Sequence, residues 1–306
     1  MGIYAPDLTT LLGRLNMNNP VMTASGTFGY GQEMAPYMDL GALGAIVCKT
    51  VTRHPRAGNA PPRTCETAAG MLNAIGLQNV GIENFITHKL PPLQDLAVPI
   101  IVNIAGESVE DFAYLIRALD GQKGVAGFEL NISCPNVAHG LDFATNPELT
   151  EEVVAHARAA TALPLLAKLS PNVTDITVIA RAAEAGGADA LTLVNTFVGM
   201  AIDWRRKKPI LGNIIGGLSG PAIKPLALRC VWQIAKLQAI PIIGVGGIAS
   251  IDDVMEFLLA GASAVQVGTA SFYDPTASVR IVDALPAAIE SLGATSVRDV
   301  VGTLSP

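Results

Sequence analysis

A chain of 306 residues that is 50% hydrophobic and only 15% charged has ample apolar material for a large core, which excludes an intrinsically disordered protein. Its 20 Lys and Arg against 26 Asp and Glu leave a formal charge of -6, so no global basic field draws it to nucleic acid or an anionic membrane, and an anionic ligand must be met by local positive groups. The mean hydropathy of +0.42 is high, yet apolar runs such as Leu96 to Ile104 are broken by Pro, Asn or Gly well short of the roughly 20 residues of a spanning helix.

Met1 to Asp7 has neither a basic nor an apolar leader region, and Pro6 stands where a myristoylation signal needs Ser or Thr, so no targeting segment or lipid anchor is expected. Leu8 to Asn19 reads as a hairpin capping the bottom of the fold. Eight short apolar, β-branched runs then begin near Val21, Ala45, Ile100, Ala126, Leu165, Asp189, Ile240 and Ala262. Helical spacing lies between several of them, for example Ser108 to Asp120, Glu148 to Thr161, Asp175 to Ala185, Pro225 to Leu237 and Ile251 to Ala260. Alternation of strand and helix implies a parallel sheet. Eight units in roughly 250 residues predict an α/β fold, a (β/α)8 TIM barrel spanning 1–306 as a single domain, rather than an open doubly wound sheet. The longest gaps follow strands 2, 4 and 6, and loops after barrel strands sit on the C-terminal face where active sites are built.

Strand alternation in Phe128-Glu129-Leu130-Asn131-Ile132-Ser133 turns Glu129, Asn131 and Ser133 to the barrel interior. Asn103, Lys168, Lys49-Thr50 and Asn195-Thr196 join them at strand C-terminal ends. A lysine inside an apolar strand needs an anion or a partner; Lys168 either faces a ligand or pairs with Glu129 as a structural ion pair. Unit seven runs Ile242 to Ser250 through Gly244, Gly246 and Gly247, and unit eight carries Gly268-Thr269. Two glycine turns on adjacent strands suit a phosphate group, the plainer alternative being tight βα turns.

Cys48, Cys65, Cys134 and Cys230 lack metal-site or disulfide spacing, so no metal is expected, the compartment reads as reducing cytoplasm, and each thiol is by default a small core residue. Cys134 is the exception, because it ends strand 4 at the barrel mouth, where a thiol can act as base or nucleophile. His139 reads as an ordinary loop residue, and Arg205-Arg206-Lys207-Lys208 as a solvated loop.

The chain resembles the soluble class 1 dihydroorotate dehydrogenases along essentially its whole length. The resemblance rests on Lys49-Thr50-Val51-Thr52, Arg56 to Arg63, Asn73-Ala74-Ile75-Gly76-Leu77-Gln78-Asn79, Asn131 to Asn136, Gly216 to Pro221 and Gly244 to Ser250. The Asn73 to Asn79 motif is similar to the NAD-linked class 1B form rather than the fumarate-linked 1A form. Cys134 stands where membrane-bound class 2 enzymes carry serine, and their N-terminal extension is not seen.

The resemblance implies FMN lined by Ala24, Ser25, Lys49, Thr50, Asn103, Asn131, Lys168 and Val194, with its phosphate on Gly246, Gly247, Gly268 and Thr269 and Gly220 nearby. It further implies dihydroorotate held by Lys49, Asn73, Ala74, Ile75, Gly76, Leu77, Asn131, Asn195 and Thr196, with Cys134 as the base, in de novo pyrimidine (UMP) synthesis. The chain has no Rossmann fingerprint at its start and no cysteines spaced for a cluster. The resemblance therefore implies a homodimer joined by an electron-transfer subunit carrying FAD and a 2Fe-2S cluster, a heterotetramer passing electrons to NAD+. The alternatives are a fumarate-linked 1A enzyme, a Schiff-base lyase using Lys168, and a non-catalytic barrel that binds a phosphorylated ligand.

Overall fold

The computed structural model describes residues 5–133, 143, 145–237 and 240–305. Eight parallel strands, β1 (Val21–Thr23), β2 (Ile46–Val47), β3 (Ile100–Ile104), β4 (Val125–Asn131), β5 (Leu165–Lys168), β6 (Ala190–Leu193), β7 (Ile242–Val245) and β8 (Ala264–Val267), form one sheet in the order β1-β8-β7-β6-β5-β4-β3-β2. A parallel bridge from Met22 to Ala45 joins its two ends, with the Thr23 amide donating to the Ala45 carbonyl at 3.2 Å. The cylinder is therefore closed and has no exposed edge.

The helices between the strands form for local reasons. Val109–Leu119 starts at Ser108, whose hydroxyl accepts from the Asp111 amide, and buries Phe112, Leu115, Ile116 and Leu119 on one stripe. Asp175 caps Ile176–Ala185 in the same way, and Ser250 with Asp253 builds a reciprocal capping box on Ile251–Ala260, which stops at left-handed Gly261. Beyond the helices read as examples in the sequence, the chain after β8 forms Ala277–Ser291, whose buried stripe runs through Ile281, Leu285 and Ile289 past the internal Pro286.

The bottom of the barrel is closed by the hairpin Thr10–Leu12/Leu15–Met17, as expected. Its Leu12, Leu15 and Met17 pack with Met22, Val47, Ile101, Leu166 and Ile243 into an interior plug. At the turn Gly13 has φ 56, and Arg14 reaches the Ala162 carbonyl at 2.9 Å and Asp189 at 3.6 Å.

At the opposite end, the excursions after β2 and β6 combine into something periodicity does not announce. Thr64–Thr67 and Gly70–Asn73 from the first, and Phe197–Met200 and Ile215–Ser219 from the second, make a four-stranded antiparallel outer sheet, with Gly217 paired to Asn73 and Phe197 to Leu218. Leu72, Ala74 and Leu211 give that sheet its own small core. No described helix is long and apolar enough to cross a membrane.

Candidate active site

The strand ends and the outer sheet together line a cavity of about 1290 Å3, larger than the roughly 300–1,000 Å3 common for one small ligand. Ala24 and Ser25 follow β1, Lys49 and Thr50 follow β2, and Asn103, Asn131 and Lys168 sit at or next to the ends of β3, β4 and β5. Val194, Asn195 and Thr196 follow β6. Gly246 and Gly247 leave β7, and Gly268 and Thr269 leave β8. The outer sheet and its connections bring Asn73, Ala74, Ile75, Gly76, Leu77 and Gly220 to the same space. Cys134 and His139 lie outside the described residues.

Polar groups around the cavity are held by one another. Ser133 Oγ donates to Asn131 Oδ1 at 3.0 Å, and the Asn195 side-chain amide donates to Ser133 Oγ and, at 3.5 Å, to Asn131 Oδ1. Asn195 Oδ1 accepts from the Thr196 amide at 2.8 Å, and Ser25 and Thr50 hydroxyls meet at 3.3 Å. Asn73 Nδ2 donates to the Gly217 carbonyl at 3.4 Å, stitching the two excursions together. Below this layer Glu129 is fully buried, accepting from Asn103 Nδ2 at 2.7 Å and lying 3.6 Å from Lys168 Nζ. Both readings of Lys168 hold at once: it pairs with Glu129 and it lines the cavity.

Two observations test the site against a phosphorylated flavin. Asn103 Oδ1 is buried without a partner, an acceptor waiting for an N–H from a ligand. The amides of Gly246, Gly247, Gly268 and Thr269 donate to no described residue, so four donors are free at adjacent turns. Side chains are kept out of this cradle by geometry. Gly246 and Gly247 have φ 132 and 76, and a Cβ on Gly247 would stand 2.7 Å from Lys224 Cβ and 3.0 Å from the Gly220 carbonyl. The residues fit FMN.

Lys49 adds a positive group to the cavity wall. Burial and the nearby Arg63 hold its ammonium below the usual lysine range, and no carboxylate among the described residues forms an ion pair with it. A half-buried cation of this kind favours an anionic ligand.

Three features escaped the reading of the sequence. Cys65, expected in a core, is only half buried on the cavity wall, because its hairpin belongs to the outer sheet; Cys48 and Cys230 are core thiols as expected, and burial pushes Cys48 up to about 12. Asn172, just past β5, lines the cavity while its Nδ2 donates to the Thr196 carbonyl at 3.0 Å and its Oδ1 accepts from the Val198 amide at 2.9 Å. Its place on the C-terminal face was the available signal. Phe272 and Tyr273, in the single turn after β8, stand exposed on the rim, and no motif marks them. The basic run 205–208 is exposed as expected, at the tip of the ribbon Ile202–Asp203/Lys208–Pro209. No cluster of metal-ligating side chains occurs among the described residues.

Comparison with known proteins agrees with this geometry. The family model described as dihydroorotate dehydrogenase matches residues 7–289. A protein of Pelobacter propionicus named dihydroorotate dehydrogenase B (NAD(+)), catalytic subunit, is 56% identical over 300 residues, covering 98% of this chain and 99% of that one. Proteins of the same name from Geobacter metallireducens and Geobacter sulfurreducens are 54% and 52% identical over 300 residues, each covering 98% of both chains.

Proposed function

The chain belongs to the dihydroorotate dehydrogenase family, and from that premise we propose that it is a class 1B catalytic subunit, a single FMN-binding barrel domain that oxidises (S)-dihydroorotate to orotate in de novo pyrimidine synthesis. The observation that carries this reading is the convergence of every described flavin and pyrimidine residue on one cavity with an unpartnered acceptor and four free amides.

FMN, when bound, supplies the acceptor for the hydride that leaves C6 of the substrate. The chain's own groups do the rest. The amides of Gly246, Gly247, Gly268 and Thr269 grip the phosphate, with Gly220 leaving room beside them. Ala24, Ser25, Thr50 and Val194 shape the flavin pocket, Asn103 accepts from a ring N–H, and Lys168 places a positive charge where electron density builds up. Asn73, Asn131 and Asn195 match the alternating carbonyl and N–H edge of a pyrimidine, since each amide both donates and accepts. Lys49 and Thr196, with the 73–77 backbone, complete that pocket. Cys134, as thiolate, takes the proton from C5.

The electrons leave through a partner subunit with FAD and a 2Fe-2S cluster that reduces NAD+, docked on a dimer of this chain in the cytoplasm. The relatives' names support an NAD+-linked assembly over the fumarate-linked one. A Schiff-base lyase needs a free amine as nucleophile, whereas Lys168 is engaged with the Glu129 carboxylate at 3.6 Å.

Anaerobic titration of the purified chain with dihydroorotate is expected to bleach a bound flavin; folded protein that takes up no FMN from excess would end the proposal. Cys134→Ala is expected to retain flavin while its reduction slows by about 10²–10⁴-fold, and an unchanged rate removes Cys134 from the chemistry. Efficient turnover of the isolated chain with fumarate would move it to class 1A.

A further inference from the structure

Glu129 is the least accessible charged group near the cavity and does not line it, yet it touches residues that do. Each carboxylate oxygen has two partners. Oε1 accepts from Asn103 Nδ2 at 2.7 Å and faces Lys168 Nζ at 3.6 Å, while Oε2 accepts from Thr192 Oγ1 at 3.0 Å and from Gln266 Nε2 at 2.5 Å. Three hydrogen bonds and one ion pair thus converge on the carboxylate. Strands β3, β5, β6 and β8 each send one side chain to it from around the cylinder.

The arrangement has a direction. Because Gln266 commits its amino group to Glu129, its Oε1 is left to accept from Lys168 Nζ at 3.4 Å. Asn103 likewise commits its amino group and presents its unpaired oxygen. Lys168 meets no other carboxylate among the described residues, and at 6% exposure it is largely cut off from water. A buried ion pair contributes little net stability, so its use lies in what it holds in place.

We propose that Glu129 is a positioning residue of the redox site: it pairs with the Lys168 side chain and holds it aimed at the cavity, and its effect on a bound flavin passes through Lys168. The inference rests on the flavin reading above.

The test is a double-mutant cycle with Glu129→Gln, Lys168→Met and both together. In the flavin-free chain, Glu129→Gln is expected to lower the melting temperature, and adding Lys168→Met to recover at least half of the loss, since the stranded ammonium is gone. If the double variant melts as low as the single one, or neither folds, Glu129 serves the scaffold rather than Lys168 and the proposal falls. A single variant that fails to fold beside a double variant that folds supports it. In the flavin-loaded chain, Glu129→Gln is expected to change the affinity ratio of reduced to oxidised FMN at least tenfold, about 30 mV for a two-electron couple. In the Lys168→Met background the same change should be under twofold; an equal change in both backgrounds, or none in either, overturns the proposal. Wild-type chain that binds no FMN would defeat the flavin reading alone, and the melting cycle would still decide whether Glu129 serves Lys168.

Discussion

Lys49 shows how one half-buried charge ties ligand binding to stability. Its folded value lies below the ordinary 10.5, because burial and Arg63 disfavour the ammonium. The unfolded chain therefore holds that proton more tightly than the folded one, and stability rises with pH between the lowered value and 10.5. Below that window the whole cost is present. Lys49→Met in the ligand-free chain is thus expected to melt about 1–3 °C above wild type at pH 6, with the difference closing as the pH nears 10.5; calorimetry across that range checks it. The same substitution should weaken dihydroorotate binding by about 10–100-fold, the worth of a charge-assisted contact. Individual site residues were legible where chemistry contradicted location: a lysine and three amides in strands that should be apolar point to a ligand whatever the fold. Cys65 was not, since a half-buried thiol in a polar hairpin looks like any other.

The elements divide into those specified within themselves and those specified by distant partners. Helices such as Ile251–Ala260 carry their cap, apolar stripe and terminating glycine in consecutive residues, so their limits could be read directly. The outer sheet carries none of this. Its strands are four or five residues without a strict apolar-polar alternation in sequence, and its two halves come into register where Asn73 meets Gly217, 144 residues away. The glycine elements at the two ends of the barrel should separate experimentally. Gly247→Ala puts a methyl 2.7 Å from Lys224 Cβ at φ 76, and is expected to lower FMN affinity tenfold or more because the cradle must shift. Gly13→Ala, at φ 56 and 2.7 Å from Asp189 Cβ, strains the bottom hairpin instead. It should cost about 1–3 kcal/mol of stability while leaving FMN affinity within about twofold. Flavin titration and chemical denaturation of both variants distinguish the two ends.

At the scale of the molecule, the outer sheet that walls the top of the barrel has a core of its own, far smaller than the one between the barrel strands and the helices. The larger was visible in the periodicity, and the smaller was not, because it assembles from two excursions. Leu72 is buried in that smaller core. Leu72→Ala is expected to remove about 2–5 kcal/mol locally, raising the KM for dihydroorotate and speeding amide exchange in 64–73 and 197–219 while the barrel strands keep their protection. Equal loss of protection throughout would mean the outer sheet and barrel unfold as one. The pairing of Asn73 with Gly217 also has a consequence for biogenesis. A growing polypeptide still emerging from the ribosome cannot join the two excursions until residue 217 is out, and cannot complete the cavity wall until residues 269–273 emerge. A flavin bound as proposed would therefore find its full site only in the last stage of synthesis.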